Sequence, residues 1–184
     1  MSLATTLTQS DQNHPPLVLI HGLGSAATAF KPIIPTLAQS FRVITVDLPG
    51  HGQSPYNKAQ AMDPKSLGRA IFESVESRYG INEFHVAGNS LGGWIALEMA
   101  ADKPERIKTL TGLAPAGLWL KPSSGRVPSE AQSYYLAKVL RPLIRVGLHI
   151  IALRKIGYAN VSPKWRELSY EICYDSAYAM GHAT

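Results

Sequence analysis

At 184 residues the chain is long enough for one domain with a buried core, and its 45% hydrophobic and 17% charged residues exclude a disordered protein. No apolar run approaches the roughly 20 residues that cross a bilayer, and residues 1–14 carry no secretory signal pattern, so we expect no stable membrane anchoring and a cytoplasmic location. The formal net charge of +5 is compatible with nucleic acid as a partner, but no nucleic-acid motif accompanies the basic residues, so we expect no such partner.

The first half of the chain alternates strand patterns with helix patterns. Residues 17–20 form a continuous aliphatic run, which is typical of a strand buried on both faces, and a helix is predicted within residues 30–39. A second aliphatic strand is predicted over residues 42–46. Asp63, which precedes a proline, is predicted to cap a helix that ends at Gly80.

Two more strands are predicted over residues 84–87 and 107–113, with a helix between them over residues 90–101. Four strands that alternate with three helices predict the α/β class, with a mostly parallel sheet and helices on both faces. Open parallel sheets bind ligands at the carboxyl ends of their strands. We therefore expect the functional site among the loops that follow the strands.

The pattern changes after Pro115, where no further strand is predicted. Residues 117–129 are rich in Pro, Ser and Gly and predict a loop. Further helices are predicted over residues 134–140, 143–153 and 165–179. We therefore divide the chain into the N-terminal part of an α/β core, residues 1–117, and a helical lid segment, residues 118–184, that covers the strand ends.

Much of the excess positive charge belongs to the predicted lid segment. A solvated helix face is the simplest interpretation of these basic residues, with an anionic membrane surface as the alternative. The single cysteine, Cys173, lies in an apolar and aromatic stretch of this segment, so it is predicted to be a buried, unreactive thiol. One cysteine also excludes an internal disulfide, which fits a reducing compartment.

The clearest functional signal is residues 88–93, Gly-Asn-Ser-Leu-Gly-Gly, which lie between a predicted strand and a predicted helix. A serine at that junction occupies a sharp turn, and glycines flank it because a Cβ would clash there. The turn exposes the Ser90 hydroxyl above the sheet edge and points the N-terminus of the helix at it. This context predicts nucleophilic serine catalysis. The alternative is that Ser90 caps the helix and has no chemical role.

Three motifs in chain order resemble those of the α/β-hydrolase superfamily. They are residues 19–24 (Leu-Ile-His-Gly-Leu-Gly), 47–54 (Asp-Leu-Pro-Gly-His-Gly-Gln-Ser) and 88–93. The resemblance covers residues 16 to about 117 and points to the bacterial carboxylesterases and carbon–carbon bond hydrolases, which often have an asparagine before the serine. It implies a partial α/β-hydrolase fold that acts on a small molecule with an ester or other acyl bond, and it implies no cofactor and no metal.

The resemblance also implies roles for individual residues. Ser90 would be the nucleophile that forms an acyl-enzyme, and the backbone N–H groups of Leu91 and Leu23 would form the oxyanion hole. His21 and His51 would organise their loops, because the general base of the family comes from a later loop.

The resemblance requires an acid and a histidine after the serine, in the order Ser, Asp or Glu, His. The chain offers only His149 and His182 there, and no predicted strand precedes either of them. We therefore expect the chain to end within the lid, with the last strands of the sheet, the acid and the base beyond Thr184. The alternative is an abbreviated triad in which Asp175, seven residues before His182, is the acid.

These observations are compatible with different functions. The leading one is hydrolysis of a carboxylic ester or related acyl bond by a serine hydrolase. The second keeps the fold and cleaves a carbon–carbon bond in a vinylogous diketone, which the asparagine before Ser90 and the basic lid permit. The third is a protein that keeps the ligand pocket without the chemistry, either as a binding protein or as an inactive remnant.

Overall fold

A five-stranded sheet lies at the centre of the computed structural model, which describes residues 3–8, 11–59, 61–118, 139, 141–159 and 162–182. The strands are β1 (Thr5–Leu7), β2 (Pro16–Ile20), β3 (Arg42–Val46), β4 (Phe84–Asn89) and β5 (Ile107–Leu113), in the spatial order β1-β3-β2-β4-β5. β1 runs antiparallel to β3, and every other neighbouring pair is parallel. The predicted mostly parallel sheet is confirmed, and all four predicted strands are present.

β1 is a strand that the sequence did not predict. It has three residues, with Thr5 paired to Val46 and Leu7 paired to Ile44, and it forms one edge of the sheet. A segment this short is below the roughly four to eight residues over which a strand pattern can be recognised. Its position is set by tertiary contacts, such as the hydrogen bond of 3.0 Å that the Tyr79 hydroxyl donates to the Thr5 carbonyl.

Six α-helices accompany the sheet in the described residues. They are α1 (Ile34–Leu37), α2 (Pro64–Tyr79), α3 (Leu91–Asp102), α4 (Arg141–Gly147), α5 (Ile151–Tyr158) and α6 (Tyr170–His182). Short 3-10 helices cover Ala27–Phe30, Pro104–Arg106 and Trp165–Glu167. Over the same residues, no helix combines the length and the apolar character that crossing a membrane requires.

The ends of α2 follow the sequence prediction. The Asp63 carboxylate accepts a hydrogen bond from the Ser66 amide at 2.9 Å and so caps the first turn. Gly80 follows the last helical residue with φ 67°, in the left-handed region that glycine adopts without strain.

Helices cover both faces of the sheet, as predicted. On one face α2 and α3 pack over Val18 and Ile20 of β2. On the opposite face Leu17 and Leu19 pack against α1 and the 3-10 helix Ala27–Phe30. The aliphatic run of β2 therefore alternates between two buried faces, which places the end of this strand in the middle of the fold.

The helix predicted within residues 30–39 is shorter than expected. Only Ile34–Leu37 is α-helical, and the preceding Ala27–Phe30 forms a 3-10 helix. Pro32 and Pro35 explain the difference, because a proline has no N–H to donate within a helix.

The helices predicted after residue 140 are also divided differently. The helix predicted over residues 143–153 is split into α4 and α5, because the backbone is extended at Ile150. The helix predicted over residues 165–179 starts only at Tyr170, since Leu168 is extended. The helix predicted over residues 134–140 lies outside the described residues, apart from position 139.

The helices after residue 140 form a cluster with a small core of their own, made of Leu148, Tyr158, Trp165 and Cys173. Cys173 is fully buried, as predicted, and burial raises the pKa of its thiol. That the thiol is unreactive stays a prediction. The boundary between a core ending at residue 117 and a lid starting at residue 118 stays a prediction.

Candidate active site

The junction between β4 and α3 is a tight turn centred on Ser90. β4 ends at Asn89 and α3 begins at Leu91, so a single residue makes the connection. Ser90 has φ 51° and ψ −113°, a conformation that costs a residue with a Cβ about 1–3 kcal/mol. The Ser90 amide donates to the Leu113 carbonyl at 3.0 Å, and the Ser90 carbonyl accepts from the Ala116 amide at 2.9 Å. The predicted sharp turn is confirmed.

Close backbone contacts require the three glycines of this turn. A Cβ on Gly88 would lie 2.1 Å from the Gly92 carbonyl oxygen, and a Cβ on Gly92 would lie 2.2 Å from the Ile20 carbonyl oxygen. A Cβ on Gly93 would lie 2.7 Å from the Cβ of Pro115. α3 can therefore begin directly against the ends of β2 and β4 only because these positions carry no side chain.

The Ser90 side chain is half-buried and does not stabilise α3. It occupies the N-cap position, yet it forms no hydrogen bond with the first turn of the helix. The alternative in which Ser90 serves as a helix cap is therefore wrong. Among the described residues, no other side chain is hydrogen-bonded to its hydroxyl. The hydroxyl is left at the N-terminus of α3, where the backbone N–H groups favour negative charge.

Both predicted oxyanion-hole amides belong to segments that contact Ser90. Leu91 is the first residue of α3, so its N–H has no acceptor within the helix. Gly22 lies in the loop after β2, where a Cβ would be 3.2 Å from the Ser90 Cβ, and the Leu23 amide belongs to the next peptide bond. Within the part of the chain that the structure describes, neither amide donates to a protein acceptor.

His21 fixes the peptide bond that carries the Leu23 amide. Its Nδ1 donates to the Gly22 carbonyl at 2.8 Å, and its Nε2 accepts from the Leu48 amide at 3.0 Å. In a trans peptide the N–H points opposite to the C=O, so this hydrogen bond turns the Leu23 N–H away from His21. Burial lowers the pKa of His21 to about 4, so the ring is neutral and its distance of 4.0 Å to Asp47 is no ion pair.

Asp47 and His51 join the loops that follow β2 and β3. The Asp47 carboxylate accepts from the Ala27 amide at 2.7 Å and from the Gln53 amide at 3.0 Å. His51 Nε2 accepts from the Gly24 amide at 3.3 Å, and burial lowers the pKa of this ring as well. The prediction that the two early histidines organise loops is confirmed, because their ring nitrogens are occupied by backbone groups.

Comparison with known proteins assigns this arrangement to a family. The family model described as "alpha/beta hydrolase fold" matches residues 15–146. The chain belongs to the alpha/beta hydrolase family. The expected fold class and the resemblance carried by the three sequence motifs are thereby confirmed.

The curated relatives of this alpha/beta hydrolase include a transferase component and an esterase. Over 103 residues the chain is 38% identical to the "dihydrolipoyllysine-residue acetyltransferase component of acetoin cleaving system" of Pseudomonas putida, covering 56% of this chain and 27% of the relative. Over 98 residues it is 35% identical to the "pimeloyl-[acyl-carrier protein] methyl ester esterase" of Legionella pneumophila (strain Lens), covering 53% of this chain and 37% of the relative. The chain thus spans less than half the length of these relatives.

A solved hydrolase structure covers most of the chain. The "2-hydroxy-6-oxo-6-phenylhexa-2,4-dienoate hydrolase" of Rhodococcus sp. strain RHA1 superposes with a TM-score of 0.62 at 27% sequence identity. The superposition covers 95% of this chain and 67% of that chain. Esterases and a carbon–carbon bond hydrolase are therefore both found among the proteins to which this alpha/beta hydrolase is similar.

The histidine side chains that the structure describes include no base for the Ser90 hydroxyl. His85 is hydrogen-bonded to Thr109 at 2.8 Å, and His149 is stacked on Tyr170 with ring centroids 4.3 Å apart. The described residues also contain no group of three or more His, Cys, Asp or Glu side chains that could hold a metal ion. The expectation of no metal and no cofactor stays a prediction.

The alternative triad of Asp175 and His182 stays a prediction, because the side chain of His182 lies outside the described residues. Both residues belong to α6 and are seven positions apart, which separates them by about 10 Å along the helix axis. The Asp175 carboxylate accepts a hydrogen bond from the Thr28 hydroxyl at 2.6 Å. An acid has to contact the imidazole that it orients, so the bond to Thr28 does not favour Asp175 in that role. The acid and base expected beyond Thr184 stay a prediction.

The sequence did not predict how α6 contacts the core. Thr28 binds Asp175, and Lys31 forms an ion pair with Glu171. These partners are separated by 147 and 140 residues, so no local pattern links them. The contacts place α6 beside the 3-10 helix that follows the Leu23 loop.

Proposed function

We propose that Ser90 is the nucleophile of a hydrolase that cleaves a carboxylic ester or related acyl bond in a small molecule. One observation carries the proposal: the Ser90 hydroxyl lies on a strained strand-to-helix turn and is bonded to no described side chain. Backbone strain of this kind persists only where the surrounding structure enforces it, and it concentrates at functional sites. Membership of the alpha/beta hydrolase family and the esterase among the relatives support the same chemistry.

In the proposed reaction, the Ser90 oxygen attacks the carbonyl carbon of the ester while its proton passes to a general base. The amides of Leu91 and Leu23 donate hydrogen bonds to the oxyanion that forms. The carbon–oxygen bond to the leaving group then breaks, the alcohol takes the proton, and an acyl-enzyme remains. Water attacks the acyl carbon by the same route and releases the carboxylic acid and free Ser90. We assign the base and its acid to residues outside the described part of the protein.

The proposed oxyanion hole is organised before substrate binds. His21 holds the Gly22 carbonyl and therefore orients the Leu23 N–H, while α3 orients the Leu91 N–H. Donors fixed in advance need no reorganisation as charge develops. Each such donor is worth about 3–4 kcal/mol in the transition state.

A second candidate, cleavage of a carbon–carbon bond next to a ketone, is favoured by the Rhodococcus hydrolase that superposes on this chain. The basic residues of the predicted lid are compatible with an anionic substrate of that kind. In this reaction the same Ser90 turn and the same amides would be used, so the two candidates differ in substrate and not in nucleophile.

Turnover by the full-length protein tests the proposal. We expect hydrolysis of the p-nitrophenyl esters of short acids, its loss in Ser90→Ala, and its retention in Ser77→Ala, an exposed serine on α2. Preference for 2-hydroxy-6-oxo-6-phenylhexa-2,4-dienoate over these esters would assign the second candidate. Turnover of neither substrate class, or turnover that survives Ser90→Ala, would contradict the proposal and favour a non-catalytic binding protein.

A further inference from the structure

Two short helices of the predicted lid expose an unusual number of aliphatic side chains. Within residues 143–156, five of them are each more than half exposed, and we call this set the lid patch: Leu143, Val146, Ile150, Ile151 and Ile156. Their neighbours Ile144, Leu148 and Tyr158 point into the small core of the helical cluster, so the exposed residues form its outer surface. Single exposed aliphatic residues are common on soluble proteins, whereas a clustered set marks a binding surface.

The charged residues of the sequence segment that carries the lid patch all have one sign. Residues 131–166 contain seven Lys and Arg residues and no Asp or Glu. Arg145 and Lys155 are exposed between the patch residues, and neither forms an ion pair with a described residue. The surface is therefore aliphatic with interspersed, unneutralised cations.

The carboxylates on the elements packed against these helices are engaged elsewhere. Glu167 lies 3.6 Å from the Lys164 ammonium, on the 3-10 helix next to α5. On α6, Glu171 pairs with Lys31 and Asp175 accepts from Thr28. The acidic side chains nearest in the fold thus do not neutralise the patch.

We propose that the lid patch binds an anionic lipid surface. Aliphatic side chains insert between the headgroups and acyl chains, and the stems of Arg145 and Lys155 let their charges reach the lipid phosphates. A second copy of the chain is a poorer occupant, because a two-fold interface would bring these like charges together. Nucleic acid is also a poorer occupant, since exposed aliphatic side chains make no favourable contact with a phosphate backbone. The association is peripheral and reversible.

Co-sedimentation of the full-length protein with lipid vesicles tests this surface. We expect binding to vesicles of phosphatidylcholine with about one third phosphatidylglycerol, and at least about tenfold weaker binding to pure phosphatidylcholine or at high salt. Ile156→Ser should weaken binding about fivefold, and Lys155→Glu at least as much. Both side chains are exposed, so these changes leave folding intact.

Matched controls make the result specific to the lid patch. Met62→Ser removes an exposed apolar side chain elsewhere, and Lys58→Glu makes the same change in net charge, so both should bind like the original protein. Ser90→Ala should also bind unchanged, because the surface does not depend on the proposed chemistry.

Three results would overturn the proposal. The first is the absence of binding to the anionic vesicles. Another segment of a longer chain that covers the patch would give the same result. The second is binding that Lys155→Glu and Ile156→Ser leave unchanged. The third is a concentration-dependent dimer, measured by light scattering, that Ile156→Ser converts to monomer without any vesicle binding, because it would assign the surface to a second copy.

Discussion

The backbone of Ser90 holds strain that a glycine would relieve. Removing the Cβ at φ 51° and ψ −113° recovers about 1–3 kcal/mol, and the greater freedom of glycine in the unfolded chain offsets part of this. We therefore expect Ser90→Gly to raise the free energy of unfolding by about 1 kcal/mol while removing the proposed nucleophile. Ser90→Ala keeps the Cβ and should leave stability nearly unchanged. Denaturant unfolding measures both, and a Ser90→Gly variant less stable than Ser90→Ala would show that the turn is unstrained.

His21 makes the stability of the fold depend on pH. Its pKa is about 4 in the folded protein, because burial disfavours the charged ring, against 6.5 for the free side chain. Between these values the unfolded chain binds more protons. Stability is therefore fully present above pH 6.5 and falls by on the order of 3 kcal/mol as the pH drops toward 4. The lowered pKa of His51 adds to the fall in the same direction.

Denaturant unfolding over a pH range of about 4.5 to 7.5 measures this dependence. The control is His21→Asn, which retains a donor for the Gly22 carbonyl but does not titrate, and it should lose less stability across the range. Carboxylates with a lowered pKa, such as Asp63, lose their contribution at lower pH and do not interfere. If the free energy of unfolding depends on pH equally in the two proteins, burial does not keep the His21 ring neutral.

At the scale of elements, the contact of α3 with β2 depends on Gly92. A Cβ there would lie 2.2 Å from the Ile20 carbonyl oxygen, and both backbones are held by the sheet and helix hydrogen bonds. We expect Gly92→Ala to lower the free energy of unfolding by about 3 kcal/mol or more. Gly157→Ala in α5 is the matched control, since nothing lies within 4 Å of its added Cβ and alanine favours a helix by about 0.5–1 kcal/mol. Similar unfolding midpoints for the two variants would contradict the steric argument.

The described contacts that attach α6 to the core include one partly buried hydrogen bond and one exposed ion pair. Thr28→Val removes the donor to Asp175, while the exposed Lys31–Glu171 pair contributes little. We expect amide hydrogen exchange in the first turns of α6 to rise about fivefold, which corresponds to about 1 kcal/mol. Thr109→Val, which removes the partner of His85 elsewhere, should leave α6 unchanged. Unaltered exchange in Thr28→Val would show that other contacts hold the helix.

The sequence predicted those elements whose pattern is local. The aliphatic runs of β2 and β3 are buried on both faces, and the ends of α2 are set by Asp63 and Gly80, so each could be recognised from a few neighbouring residues. β1 has too few residues for a pattern, and the division between α4 and α5 at Ile150 depends on packing within the helical cluster. These features follow from tertiary contacts, which a local pattern does not contain.

At the scale of the whole molecule, the candidate site depends on the order of the strands. β2 lies between β3 and β4, so the loops that carry Leu23, Asp47 and Ser90 meet at one edge although they are far apart in the sequence. The three motifs and the resemblance were enough to predict roles for Ser90, Leu23 and Leu91, and these roles stay predictions. The sequence could not predict the hydrogen bond from His21 to the Gly22 carbonyl, which orients the Leu23 amide. A sequence motif does not show which way an imidazole ring points, so this bond required coordinates.

Labelling with a fluorophosphonate probe tests the central claim most directly, because the probe reacts with an activated serine hydroxyl and needs no knowledge of the substrate. Applied to the full-length protein and followed by peptide mapping, it should place the label on Ser90, and Ser90→Ala should abolish labelling while Ser77→Ala retains it. Absence of label from Ser90 in the folded protein, or a label that persists in Ser90→Ala, would contradict the account.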